Sequence, residues 1–161
     1  MKRSGLLILP ILVLLLLLFG RGCEGPEERI RRRFDELAHD FSRGRPSAIV
    51  GHFTEDFRDR PTGVGKAELR SVLSQMSFSD RTDTGEFRHR VRFPLDAWEV
   101  ILDPADPAAA KVRCVAEFEE LRREGWSAEW EITLRIDMRE TDEGWQLSRS
   151  EHTTVAGSPW R

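Results

Sequence analysis

From residue 126 to 138 every second side chain is apolar. Trp126, Ala128, Trp130, Ile132, Leu134, Ile136 and Met138 alternate with Ser127, Glu129, Glu131, Thr133, Arg135 and Asp137. A helix would scatter such residues around its axis, whereas a pleated strand puts them on one face. The chain must therefore build a sheet with one buried and one wet face. Shorter alternations extend it: Phe87, His89, Val91 and Phe93; then, past Pro94, Trp98, Val100 and Leu102; then Val112, Cys114, Ala116 and Phe118; and a last strand over 145–155. Turn residues separate these runs at Asp103, Pro104, Asp106 and Pro107, at Gly125, and at Asp142 and Gly144.

The first half has helical periodicity instead. Ile30, Phe34, Leu37 and Phe41 recur three or four residues apart, which predicts an amphipathic helix over 26–43. Pro26 suits its first position, Glu27 and Glu28 suit its positive end, and Gly44 stops it. Pro46 opens a short second helix that buries Ile49, Val50 and Phe53. A turn or short strand over 54–60 follows, then a third helix over 66–76 with Leu69, Val72, Leu73 and Met76 on one face. Helices first and strands after predict an α+β domain, with three N-terminal helices packed on a curved antiparallel sheet.

Residues 5–20 carry no charge and follow Lys2 and Arg3. This pattern reads as a secretory signal peptide or membrane anchor over 1–22. A linker over 23–26, the domain over 27–157 and a tail over 158–161 complete the organisation. Cys23 is a lipidation candidate, although Arg21 departs from the usual pattern. The expected location is the cell envelope, with the domain outside the cytoplasm and membrane contact through residues 5–20. A net charge of -3 and the lack of a long basic block argue against a nucleic-acid face. Cys23 and Cys114 form neither metal-ligand spacing nor a disulfide framework, and no metal or cofactor is expected.

Three local patterns, in this order, resemble the nuclear-transport-factor-2-like superfamily, which includes SnoaL-like cyclases and ketosteroid isomerases. They are Phe53, Thr54, Glu55, Asp56 and Phe57 after the second helix; Gly63, Val64 and Gly65 leading into the third; and Gly144, Trp145, Gln146 and Leu147 in the last strand. The resemblance spans roughly 27–155 and implies a cone-shaped domain with a pocket at its open end. Isomerase relatives place an aspartate directly before a proline ahead of the third helix, as a general base on a carbon acid, and use a tyrosine to hold the oxyanion. Here Arg60 precedes Pro61, Asp59 lies one residue back, and the chain has no tyrosine. A one-residue offset in an extended segment reverses the facing of a side chain. Both family roles are thus vacant at the matching positions, although Asp56 or Asp59 could be recruited differently.

The candidate ligand-pocket residues are His89, Trp98, Trp130, Arg149, Glu151 and Asp56. His89 shares a face with Phe87 and Val91, and either points into the cone or sits at its rim. If Leu147 points inward, period two carries Arg149 and Glu151 inward with it. These features predict a non-catalytic module binding a small apolar ligand or a protein partner, with a homodimer left open. The alternative is a SnoaL-like cyclase, hydratase or isomerase acting on a hydrophobic small molecule. An inward-facing acid–histidine pair in a sizeable pocket would favour the enzyme.

Overall fold

The computed structural model describes residues 24–158. Helix α1, Pro26–Ser42, buries Ile30, Phe34, Leu37 and Phe41, the stripe its periodicity demands. Pro26 occupies its first turn, and the Glu28 carboxylate accepts the Gly25 N–H at 3.3 Å. Beyond it Gly44 adopts φ 58°, and a β-carbon there would lie 2.9 Å from the Phe87 ring. Both the backbone angle and the contact call for glycine. Helix α2, Pro46–Gly51, leads into strand β1, Phe53–Asp59, and helix α3 covers Lys66–Ser79.

The remaining strands are β2, His89–Arg92; β3, Glu99–Leu102; β4, Ala109–Arg122; β5, Gly125–Thr141; and β6, Gly144–Gly157. Pro94 precedes a short 3-10 turn, Leu95–Ala97, between β2 and β3. The sheet order is β1-β6-β5-β4-β2, with β3 also on β4. The sheet is mixed rather than purely antiparallel, because β1 returns beside β6 in parallel. Helix α3 and strands β2 to β5 lie between the two in sequence, a connection long enough for parallel pairing, and the sequence run 54–60 was too short to show its direction. The sheet curves around the helices in a cone, whose core includes Phe34, Val50, Val112, Ala116, Ile136 and Trp145. Among the described residues no helix is long and apolar enough to cross a membrane. The apolar run 5–20 and Cys23 lie outside them.

Four register shifts break the pairing; one lies between Phe53 and Arg58 of β1, and three lie in β5 and β6. Phe118 faces Trp130 but Glu119 faces Ala128, so Glu129 is an extra residue in β5. Met138 faces Leu147 but Asp137 faces Arg149, so Ser148 is extra in β6; Thr154 and Ala156 flank a third, Val155. A bulge leaves one residue unpaired and reverses the facing of what lies beyond it. Trp126, expected on the inner face with Trp130, is for this reason 39% exposed. The Arg90 guanidinium covers its ring at 4.2 Å.

Past the bulge the inner face is regular. Ile136 is 3% exposed, while its neighbour Arg135 and nearby Thr133 face out. Ile136→Ala should destabilise the domain by about 2–5 kcal/mol, and Thr133→Ala by well under 1 kcal/mol, as for a surface site. Chemical denaturation checks this. Equal costs would show that β5 is buried on both faces.

Candidate functional site

An apolar cavity of about 320 Å³ lies between the helices and the inner face of the sheet. Phe34 and Phe41 of α1, Phe57 of β1, Ala116 of β4 and Leu134 of β5 form much of its wall, and α3 closes one side. Ligand pockets of this kind are mostly apolar with a few placed polar groups. Here the polar groups are Asp59, Thr62, Ser150 and His152, and they are gathered in one cluster. Among the described lining residues only Asp59 and His152 ionise.

Asp59 ends β1 and is 8% exposed. Its Oδ1 accepts the Ser150 hydroxyl at 2.8 Å and His152 Nδ1 at 3.3 Å. Its Oδ2 accepts the Thr62 hydroxyl at 2.5 Å and the Thr62 N–H at 3.3 Å. Burial pushes the carboxyl up, but the hydrogen bonds from Thr62 and Ser150 and the charge of His152 outweigh it, leaving the group below its ordinary value. Asp59 is therefore an ionised acceptor. It fixes the Nδ1–H tautomer of His152, which leaves Nε2 with the lone pair in the neutral ring. A carboxylate so well satisfied is a poor base, whereas the imidazole held through Nδ1 keeps the Nε2 lone pair as an acceptor.

The sequence expectation placed Asp59 on the wrong face. Phe57 lines the cavity and Asp59 is two residues later, so plain alternation within β1 carries it inward. The offset from Pro61 was the misleading comparison, because the chain turns sharply after Asp59. Ser150 and His152 were missed because of the Ser148 bulge. Leu147 does point into the cavity, but the extra residue sends Ser150 and His152 in after it and Arg149 and Glu151 out.

The other candidates are dispersed. Asp56 is exposed, 3.6 Å from Arg139, and lines an outer cleft together with Arg149. A hydrogen bond with Thr54 is the main influence holding its carboxyl below its ordinary value, against slight burial. His89 is buried, as its strand face requires, but bonds Asp80 at 3.2 Å beside a separate polar cleft with Glu120 and Arg122. Trp98 packs edge-on to Phe34 at 4.6 Å, under Arg31. Trp130 alone borders the cluster: it stacks on Phe118 at 5.1 Å and meets the His152 ring edge-on at 6.0 Å. A second buried pair, His52 with Asp40 at 3.0 Å and Arg33 at 3.3 Å, ties α2 to α1 away from the cavity. Burial pushes the Cys114 thiol up to about 12, which makes it a packing residue rather than a nucleophile. Among the described residues no group of side chains is arranged to hold a metal ion.

Several solved structures share this architecture. A nuclear-transport-factor-2-like protein with a cystatin-like fold from Novosphingobium aromaticivorans aligns over 98% of this chain and 94% of its own, with a TM-score of 0.62 at 17% identity. A candidate scytalone dehydratase from the same bacterium aligns over 84% and 87%, with a TM-score of 0.65 at 14% identity. Aln2 from a Streptomyces species aligns over 81% and 93%, with a TM-score of 0.63 at 12% identity. At such identities the likeness shows the fold, a nuclear-transport-factor-2-like cone, and nothing finer. No family model matches the chain, and no curated protein matches it in sequence.

Proposed function

We propose that the domain is an acid–base enzyme acting on a small, largely apolar molecule, with His152 moving the proton and Asp59 positioning it. The Asp59–His152 pair facing an apolar cavity of about 320 Å³ carries this reading. The hydroxyls of Thr62 and Ser150 both donate to Asp59, so neither is free to hold an oxyanion. With one working acid–base group, the same imidazole must take a proton and return it. Two reactions meet that condition: a proton shift along a carbon skeleton, and loss of water from a β-hydroxy ketone. In the second, Nε2 takes the proton next to the carbonyl, the C–O bond breaks as the double bond forms, and the imidazolium protonates the departing hydroxide. The candidate dehydratase among the structural neighbours fits this class of chemistry.

A simple probe is 3-hydroxy-1-tetralone, whose dehydration yields the fluorescent 1-naphthol. Turnover above background is expected. Ala116→Phe, which fills the cavity from a fully buried position, should remove both binding and turnover while the domain stays folded. Quenching of tryptophan fluorescence through Trp130 without any turnover would instead support a non-catalytic ligand carrier. Neither quenching nor turnover with neutral aromatic ketones would count against the cavity as a ligand site altogether.

We further propose that the domain lies in the cell envelope, held or exported by residues 1–22, because Lys2 and Arg3 precede the uncharged run. A phosphatase reporter fused after Arg161 should be active outside the cytoplasm. Activity confined to the cytoplasm would refute this placement and leave the cavity reading untouched.

A further inference from the structure

The Asp59 carboxylate is shared between two parts of the fold. Oδ1 serves β6 through Ser150 and His152, and Oδ2 serves the loop of residues 60–65 through Thr62. That loop is folded tightly onto the same residue. Asp59 N–H donates to Val64 O at 2.9 Å, Gly63 N–H to Asp59 O at 2.8 Å, and Val64 N–H to the Thr62 hydroxyl at 3.3 Å. Gly63 takes φ 72° to make the turn. Helix α3 begins at Lys66, directly after it.

Helix α3 is also a wall of the cavity, through Leu69, Val72, Leu73 and Met76. Of these only Leu73 is buried, and Val72 is 52% exposed, so this wall of the cavity is itself partly in contact with solvent. Leu69 and Met76 are partly buried. Its polar moorings include Lys66 Nζ to Phe53 O and to the Glu55 carboxylate, Glu68 to Arg58 at 3.8 Å, and Ser77 Oγ to Gly44 O at 2.8 Å. A helix held by few apolar contacts is the element most readily displaced. Only residues 63–65 separate Thr62 from the first residue of α3, so an outward shift of the helix pulls on the Thr62–Asp59 contact.

We propose that Thr62 is a positioning residue that ties the orientation of His152 to the position of α3, so that opening the cavity and loosening the imidazole are one event. The inference rests on the acid–base reading for its purpose, but its test needs no substrate. Thr62 is exposed, and Thr62→Val keeps its shape while removing the hydroxyl donor. In Thr62→Val, amide hydrogen exchange across α3 should rise about tenfold or more, and the ring ¹⁵N signals of His152 should shift towards a mixture of tautomers. Thr62→Ser should restore both. Ser77→Ala frees the far end of α3 and should speed exchange there without moving the His152 signals. In the unmodified full chain, the Thr62 amide and those of the first turns of α3 should exchange through one opening, at matched free energies. Unchanged His152 signals in Thr62→Val, equal disturbance by Ser77→Ala, or unmatched exchange would each overturn the proposal. Failure of turnover with intact exchange behaviour would count against the enzyme reading alone.

Discussion

His152→Gln is expected to lower turnover by about 10²–10⁴-fold, the usual contribution of a positioned acid–base group. The side chain is 24% exposed near the end of β6, so the variant should fold and still bind an apolar ligand. Asp59→Asn should lose rate for a different reason. The amide can donate towards Nδ1, which favours the tautomer with its lone pair on Nδ1, turned to residue 59, and a proton on Nε2. A second consequence is readable without substrate. Because the Asp59 carboxyl titrates below its unfolded value, it stabilises the fold above about pH 4, the ordinary range for aspartate. That contribution is lost as the pH falls through the lower, folded value. The melting-temperature gap between wild type and Asp59→Asn should therefore be full at pH 7 and narrow on acidification. Normal turnover by His152→Gln would remove His152 from the mechanism.

Phe34→Ala should cost about 3–5 kcal/mol, as aromatic core truncations do. Phe34 is 1% exposed, holds Trp98 and Phe93 edge-on at 4.6 and 5.1 Å, and lines the cavity. It thus fastens α1 to the segment that joins β2 to β3, and sets the cavity's width as well. Against a total stability of about 5–15 kcal/mol this would be a large share of what holds the fold together. Urea unfolding at constant pH measures it. A loss below 1 kcal/mol would mean that the cavity collapses around the smaller residue, and ligand binding should then disappear.

Periodicity carried the reading of the helices and strands because it is a local property. The stripe on α1 and the inner face of β5 from Ile132 to Met138 are written in neighbouring residues. The pairing of β1 with β6 joins segments nearly a hundred residues apart, and nothing local encodes its direction. Asp59 was within reach of the sequence, two residues after an apolar Phe57 that the strand had to bury. His152 was not. Finding it required the position of the Ser148 bulge, and Ser148 resembles any other polar strand residue. Its hydroxyl donates to Asp137 O at 3.0 Å only once the two strands are paired.

That extra residue acts on β6 as a frameshift acts on codons. Every letter after it is kept, yet each, as far as the next extra residue at Val155, is read on the opposite side of the sheet. Two chains of this architecture that differ by one residue at this point could align column by column and still set a cavity histidine against a solvent arginine. Comparisons across such distant relatives gain meaning when they count strand positions from the bulge, because the inner and outer registers are the units that selection on a pocket can see.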